Sequence, residues 1–463
     1  MRTLFLAGIL AGTVLVMASC GGPGRDSTGF SVPVEYYKLP NGLRVVLSQD
    51  ATAPTVTVAV YYNIGFRIEP KNRTGFAHLF EHMMFQGSEN LGKMEFIRLI
   101  QKNGGVLNGS TRFDFTNYFE IVPSNKLETI LWAEADRMRG LAITDENLVN
   151  QKGVVTNEVK VNVLNEPYGG FPWLDMPQYA NTNWYNAHNF YGDLADLDAA
   201  TLEDVTSFFR TYYAPNNAVL AVTGDFEAAA AKQLIGKYFG SIPSVDQPPK
   251  PDISEPRQEA AKRVSKDDSL ASKPALAFAY HMPERNTPEY YAMGIIDQLL
   301  LQGDDSMLRE ALVQERGFTS SVDGGINLLG NMFNYKGPMV WMGYLFHDRS
   351  TPMDSIKMIM ESVIEKLRSA PVDQATLDRA KIKFRSDLYS TLGTGFGRAD
   401  LLASFALFDD DPSKINTIET MIDGVTPEVV QRTAQEYLRS TNQTILTINP
   451  TKVLSKEERS YAN

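Results

Sequence analysis

The chain has 463 residues, of which 43% are hydrophobic and 21% are charged. Because single domains usually hold about 100–200 residues, this length predicts two domains with a sizeable core. The composition excludes a disordered or fibrous chain. The formal charge of −11, with no lysine- or arginine-rich stretch to offset it, argues against nucleic acid as a partner, since a phosphate backbone would be repelled.

The first twenty residues have the layout of an export signal. Arg2 supplies the positive start, residues 4–17 the apolar run, and Ala18 and Ser19 the small residues before a cleavage site. No other segment is long and apolar enough to span a bilayer. Residues 1–20 are therefore predicted to be a signal peptide rather than part of the fold.

Cys20 is the only cysteine, which excludes a disulfide within the chain. Residues 16–20 (VMASC) resemble the bacterial lipobox, whose cysteine becomes a lipidated N-terminus, although Met17 stands where leucine is commoner. A lone cysteine at this position favours lipidation over a cleaved signal with an incidental cysteine. We therefore expect a lipid-anchored protein of the bacterial cell envelope, on the outer membrane and facing the periplasm. Residues 21–31, rich in glycine and polar residues, would form a flexible tether.

Two domains are predicted on either side of a proline-rich connection. Residues 43–48 and 55–64 have the β-branched and aromatic content of strands, and a helix follows from about Gly75. Residues 241–257 hold five prolines among polar residues, which favours an extended, unpacked linker. The N-terminal half is therefore residues 32–240 and the C-terminal half is residues 258–463.

The two halves repeat the same order of elements. A helix from Thr201 to Tyr212 leads to a strand at 218–223, and a helix from Thr426 to Tyr437 leads to a strand at 444–448. The strands at 55–62 and 275–280 also each precede a helix. The sequence therefore predicts an α+β protein of two homologous domains, each a mixed, mainly antiparallel sheet packed with helices.

A candidate metal site lies in residues 75–85. On a helix, His78 and His82 project from one face about 6 Å apart, so both imidazoles can bind one metal ion, with Glu81 beside them. The alternative is that two buried histidines lie one turn apart by chance and are satisfied by hydrogen bonds.

A catalytic zinc needs a third protein ligand and an open position for water. Glu158 is the candidate for this ligand. Glu128 and Glu134 compete with it on composition, although each is more typical of a solvated helix face. Spacing alone does not choose among the three.

With these features placed, the chain resembles the pitrilysin (insulinase-like, mitochondrial processing peptidase) family of zinc proteases in its half-length, two-domain form. The matching pieces extend through most of the mature chain: residues 65–70, 78–82, 85–88, 104–108, 158, 213–220 and 224–225.

The resemblance implies half of a clam-shell chamber, with one Zn²⁺ per chain held by His78, His82 and Glu158. Glu81 would be the general base that takes the water proton. A peptide substrate would pair by strand addition with the edge strand that contains Gly105, Val106, Leu107 and Asn108.

Three positions depart from the family pattern. Gln151 stands where the family generally has a second glutamate, on the same helix face as Glu158 and in its outer shell. In the C-terminal half, Met307 and Ser320 occupy the places of an arginine and a tyrosine that contact the substrate carbonyl, with Arg309 nearby. We therefore expect a zinc metallopeptidase subunit whose homologous partner supplies the Arg/Tyr pair. The alternatives are an inactive metal-binding scaffold and a peptide-binding subunit of an envelope complex.

Overall fold

The computed structural model describes residues 31–451, so the predicted signal peptide, Cys20 and nearly all of the predicted tether lie outside the described residues. The strands are β1 (Glu35–Lys38), β2 (Arg44–Gln49), β3 (Thr55–Tyr62), β4 (Val106–Thr111), β5 (Thr116–Pro123), β6 (Ala218–Gly224), β7 (Lys262–Asp268), β8 (Ala275–His281), β9 (Asp323–Ile326), β10 (Val340–Phe346) and β11 (Gln443–Pro450).

The helices of the N-terminal half are α1 (Phe76–Met83), α2 (Glu95–Lys102), α3 (Leu127–Arg139), α4 (Asp145–Val159), α5 (Asp175–Ala180), α6 (Trp184–Ala187), α7 (Leu194–Ala199), α8 (Leu202–Tyr212) and α9 (Ala228–Phe239). Those of the C-terminal half are α10 (Pro288–Leu300), α11 (Met307–Arg309), α12 (Met353–Ser369), α13 (Gln374–Leu392), α14 (Gly395–Asp409), α15 (Ile418–Asp423) and α16 (Pro427–Tyr437). Within residues 31–451, no helix combines the length and the apolar character needed to cross a membrane.

Each half contains one mixed sheet, and the two sheets have the same topology. The strand order is β1-β2-β6-β3-β5-β4 in the first and β7-β11-β8-β10-β9 in the second. The parallel pair β2–β6 corresponds to β7–β11, and the antiparallel neighbours follow in the same order. The predicted α+β duplication is thereby confirmed, with β1 as an addition to the first sheet.

The repeated helices begin and end where the sequence predicts. The Thr201 hydroxyl accepts from the backbone of Asp204 to cap α8, and Thr426 caps α16 through Val429. Such threonine caps satisfy backbone N–H groups that the first turn leaves unpaired.

The two halves exchange helices. Helix α14 of the C-terminal half packs on the first sheet, where Phe396 stacks on Phe119 at 3.9 Å and Asp400 accepts from Tyr61 Oη at 2.8 Å. Helix α5 of the N-terminal half packs on the second sheet, where Met176 and Ala180 join its apolar face. The two sheets therefore lie on either side of residues 241–257 in the sequence, whereas two of the apolar clusters contain side chains of both halves.

Residues 241–257, predicted to be an unpacked linker, form no helix or strand but are hydrogen-bonded to the N-terminal half. Glu255 accepts hydrogen bonds from Thr182 N at 2.5 Å and Asn186 Nδ2 at 2.8 Å. Asn216 pairs with both backbone groups of Val245, at 2.7 and 3.1 Å. Hydrogen bonds with the N-terminal half thus fix a segment whose composition alone predicts an unpacked chain.

Candidate metal centre

Helix α1 carries the histidine motif and is held firmly at its start. Gly75 precedes it with φ +81°, and a Cβ there would lie 2.4 Å from the carbonyl oxygen of Tyr191, so glycine is required. The buried carboxylate of Glu69 accepts from Gly75 N at 2.9 Å and Ala77 N at 2.5 Å. His188 Nε2 lies 3.7 Å from the same carboxylate. These two hydrogen bonds satisfy N–H groups that the first turn leaves unpaired, so Glu69 fixes the helix that bears both histidines.

The helix also buries one apolar face, which stiffens the ligands. Phe76, Leu79, Phe80 and Met83 are each at most 1% exposed. Side chains packed in this way hold the neighbouring polar residues in one orientation.

His78, His82 and Glu158 converge. His78 Nε2 lies 3.6 Å from Glu158 Oε1, and His82 Nε2 lies 3.2 Å from Glu158 Oε2. In residues 31–451 they form the one group of histidine, cysteine and acidic residues whose ligand atoms all lie within 4.8 Å of one another. In a tetrahedral zinc site with bonds of about 2.1 Å, donor atoms lie about 3.4 Å apart. The three donor atoms therefore lie close enough together to be candidate ligands of one zinc ion.

The electrostatics of two of the donors, His78 and Glu158, also suit a cation. Burial, followed by the nearby His82 ring, lowers the pKa of His78 to about 4, so this imidazole is neutral at physiological pH. Contact with His82 lowers the pKa of Glu158, so its carboxylate is ionised. Neutral imidazole and ionised carboxylate are the forms that bind metal. Tyr191 Oη donates to Glu158 Oε1 at 3.2 Å and orients it.

Glu81 lies beside the ligands. Thr111 Oγ1, at the end of β4, donates to Glu81 Oε2 at 2.8 Å. Burial raises the pKa of Glu81, which makes the carboxylate a stronger base. A Cβ on Gly109 would lie 3.4 Å from Glu81 Cγ, so the strand passes directly over this side chain.

The two competitors for the third ligand lie elsewhere. Glu128 is exposed and pairs with Lys237 at 3.0 Å, as a solvated residue should. Glu134 contradicts the expected solvated position, because it is fully buried and pairs with the buried Arg137. Glu134 lies on a buried face of α3, and Arg137 on the same helix compensates for the charge of its carboxylate.

Strand β4 forms the edge of the first sheet that lies nearest the ligands. It pairs only with β5 among the described strands. Val106 is 60% exposed. Leu107 is half-buried and Asn108 exposed, while Gly105 precedes the strand against the Val122 side chain. The predicted edge strand is present, and no described strand pairs with its outer side, where Gly109 N donates to Asn108 Oδ1 at 2.9 Å.

The positions that depart from the expected pattern are also placed. Gln151 is buried on α4 and donates to Asn150 Oδ1 at 2.7 Å. Met307 packs partly buried against the core, and Ser320 is exposed. Arg309 Nε pairs with Asp304 at 3.1 Å.

Sequence reasoning missed Thr111, Tyr191 and the Glu69–His188 pair. Tyr191 and His188 lie in an irregular segment far along the chain from the motif, and no spacing rule connects them to it. Glu69 lies in residues 65–70, which match the family pattern, but the sequence did not indicate its role at the start of α1.

Comparison with known proteins gives consistent results. The family model described as Insulinase (Peptidase family M16) matches residues 44–181, which contain the histidine motif and Glu158. The model described as Peptidase M16 inactive domain matches residues 199–384.

Two curated relatives span most of the chain. The zinc protease PqqE of Helicobacter pylori is 26% identical over 422 residues, which is 90% of this chain and 93% of that protein. The mitochondrial-processing peptidase subunit beta of Bos taurus is 21% identical over 418 residues, covering 90% and 84%. The crystal structure of a protease from Helicobacter pylori has a TM-score of 0.84 and 26% identity, and covers 90% of this chain and all of that one.

Proposed function

Since this chain belongs to the M16 (pitrilysin-like) peptidase family, we propose that it is the zinc-bearing subunit of a peptidase that hydrolyses peptides or unfolded polypeptides. The observation that carries the proposal is the convergence of His78, His82 and Glu158 beside an unpaired strand edge. A scaffold would need neither a basic carboxylate at Glu81 nor an open edge next to it.

In this proposal the metal ligands and the general base have separate roles. Zinc bound by His78, His82 and Glu158 would supply Lewis acidity to the scissile carbonyl and to a water molecule. Glu81 takes a proton from the attacking water and returns it to the leaving amine nitrogen. Thr111 holds Glu81 Oε2 at 2.8 Å, which leaves the other carboxylate oxygen to accept that proton.

The edge of β4 orients the substrate. A peptide added as a strand exchanges backbone hydrogen bonds with residues 106–111, so recognition depends little on the identity of its side chains. The absence of a side chain at Gly109 lets β4 itself lie close to Glu81, so a strand added to β4 would lie near this carboxylate. Broad sequence tolerance at the cleaved bond follows from this mode of binding.

A second chain would complete the site. Neither Met307 nor Ser320 can donate a charged or phenolic hydrogen bond to the substrate carbonyl, and Arg309 is paired with Asp304. A homologous partner that carries an arginine and a tyrosine would supply both donors. One relative is named as the beta subunit of a peptidase, which supports an assembly with a second chain. A metal-binding scaffold is the alternative, supported by the match to an inactive-domain model.

Zinc content is the experiment that tests the proposal. The mature chain should hold about one zinc, and His78→Ala or His82→Ala should lower this to about a tenth or less, because two donors bind the ion poorly. Metal analysis of the purified proteins measures it. His347→Ala is the matched control, since His347 lies in the C-terminal half and contacts Asp348 O. Full zinc in both motif variants would refute the site.

The membrane anchor is a separate proposal that rests on the sequence at Cys20. Cys20→Ser should move the protein from the membrane fraction to the soluble periplasmic fraction, because the diacyl anchor would be lost. Fractionation with immunoblotting measures the shift, and Ser27→Ala provides a control in the same segment. Unchanged membrane association of Cys20→Ser would contradict lipidation.

A further inference from the structure

A cavity of about 440 Å³ lies between the first sheet, the linker at residues 241–257 and the end of α14. Its lining residues include Arg44 at the start of β2, Asn63 just after β3, Lys250 of the linker, and Asp410, which follows α14. No metal ligand and no residue of β4 lines it. Its volume is in the range of sites that hold small molecules.

The cavity is cationic, although the chain as a whole has a formal charge of −11. Lys38, Arg44 and Lys250 line it, against one carboxylate, that of Asp410. Lys38 Nζ pairs with this carboxylate at 2.7 Å. Arg44 Nη1 donates instead to two carbonyl oxygens in the last turn of α14, at 3.0 and 3.1 Å. Two of the three cations therefore have no ion pair with any described residue.

Lys250 is the least satisfied of these cations. Its side chain forms no ion pair or hydrogen bond with residues 31–451. Desolvation, followed by the positive charges of Lys336 and Arg44, lowers the pKa of Lys250. The negative charge that partly opposes them is that of Asp114, whose carboxylate already binds Arg67 Nε at 2.9 Å. Like charges held close together cost free energy, and a bound anion would offset this cost.

The rest of the wall combines a neutral donor with apolar surface. The side-chain amide of Asn63 has no hydrogen-bond partner in the described part of the chain. Three prolines of the linker line the cavity together with Ile68 and Tyr212. The matching ligand therefore has an anionic group and a carbon-containing part. Two unpaired cations suit a phosphate ester, which carries a charge of about −1.5 to −2 near neutral pH, better than they suit a single carboxylate.

We propose that this cavity binds the phosphate group of an organic phosphate ester, with Arg44 and Lys250 as cationic partners and Asn63 as a neutral donor. Arginine and lysine are the side chains that bind phosphate most commonly. The bound group would join the linker to the first sheet and, through the carbonyl contacts of Arg44, to α14 of the C-terminal half. Binding at this site requires neither the metal nor peptide cleavage.

Calorimetric titration of the mature chain tests the inference. Glycerol 3-phosphate is the probe, and acetate is compared with it at the same ionic strength, so that non-specific charge effects are screened equally. We expect glycerol 3-phosphate to bind at least about tenfold more tightly than acetate and to raise the melting temperature. Dihexanoyl-phosphatidylglycerol, kept below its micelle concentration, identifies the source of the phosphate. Tighter binding of this lipid would assign the cavity to a lipid headgroup, and weaker binding would assign it to a soluble phosphate ester.

Variants then locate the effect. Lys250→Gln should weaken the binding of glycerol 3-phosphate about tenfold, because one charge-assisted hydrogen bond is lost, and Lys250→Glu should remove measurable binding. Lys250 is exposed, so both variants should fold, which their melting temperatures without ligand will check. Lys93→Gln is the matched control, an exposed lysine of the same half outside the cavity, and should keep full affinity. Equal binding of acetate and glycerol 3-phosphate, or undiminished binding by Lys250→Glu, would overturn the proposal.

Discussion

Glu81→Gln is expected to keep about one zinc per chain and to lose about 10²–10⁴-fold in peptide cleavage, because the amide fills the same space but cannot accept a proton. Thr111 Oγ1 can still donate to the amide oxygen, so the local geometry should persist. Zinc analysis and a quenched-fluorescence peptide assay, run on the same preparation, separate the two quantities.

Glu158→Gln is the paired variant and should show the reverse. Its neutral amide is a poor ligand, so zinc itself should fall, and excess zinc in the assay should restore part of the activity. Tyr191→Phe removes only the 3.2 Å hydrogen bond to Glu158 and serves as a mild control. If Glu81→Gln lost the metal while Glu158→Gln retained it, the two roles would have been assigned to the wrong residues.

The second large effect concerns the partner. Loss of one oxyanion donor commonly costs about 10²–10³ in rate, so the isolated chain, which lacks both donors, should cleave peptides at least that much more slowly than its mixture with a homologue bearing the Arg/Tyr pair. Two copies of this chain would not substitute, since each has Met307 and Ser320 at those positions. Titration of the homologue at fixed chain concentration should reach a plateau at a 1:1 ratio.

Arg309→Ala distinguishes the partner from a donor within the chain. The arginine pairs with Asp304, so its loss should change the rate of the mixture less than twofold, as expected for an exposed pair. Full activity of the chain alone, abolished by Arg309→Ala, would show instead that this arginine supplies the donor and that the enzyme is self-sufficient.

The local features of the metal centre could be predicted from the sequence, since they depend on short-range geometry. His78 and His82 are four residues apart on one helix, which fixes their relative position. Thr201 and Thr426, which precede α8 and α16, are residues of a type that commonly caps helices, and both do so here. The repeated order of elements also sufficed to predict a duplicated sheet.

The long-range features could not be predicted, because their signals are shared by many other arrangements. The sequence around Glu134 is typical of an exposed helix residue. In the structure this side chain is buried and pairs with Arg137. The apolar pattern of α14 predicts burial but does not say which sheet covers it.

The exchange of α5 and α14 bears on how such a chain could have arisen. A gene encoding a single half would produce a sheet with one bare apolar face and a helix with nothing to cover. Two identical copies would complete each other by trading that helix, as domain-swapped dimers do. Duplication and fusion would then join two chains that already depended on each other. One copy was thereafter free to keep histidines in its first helix, while the other lost them.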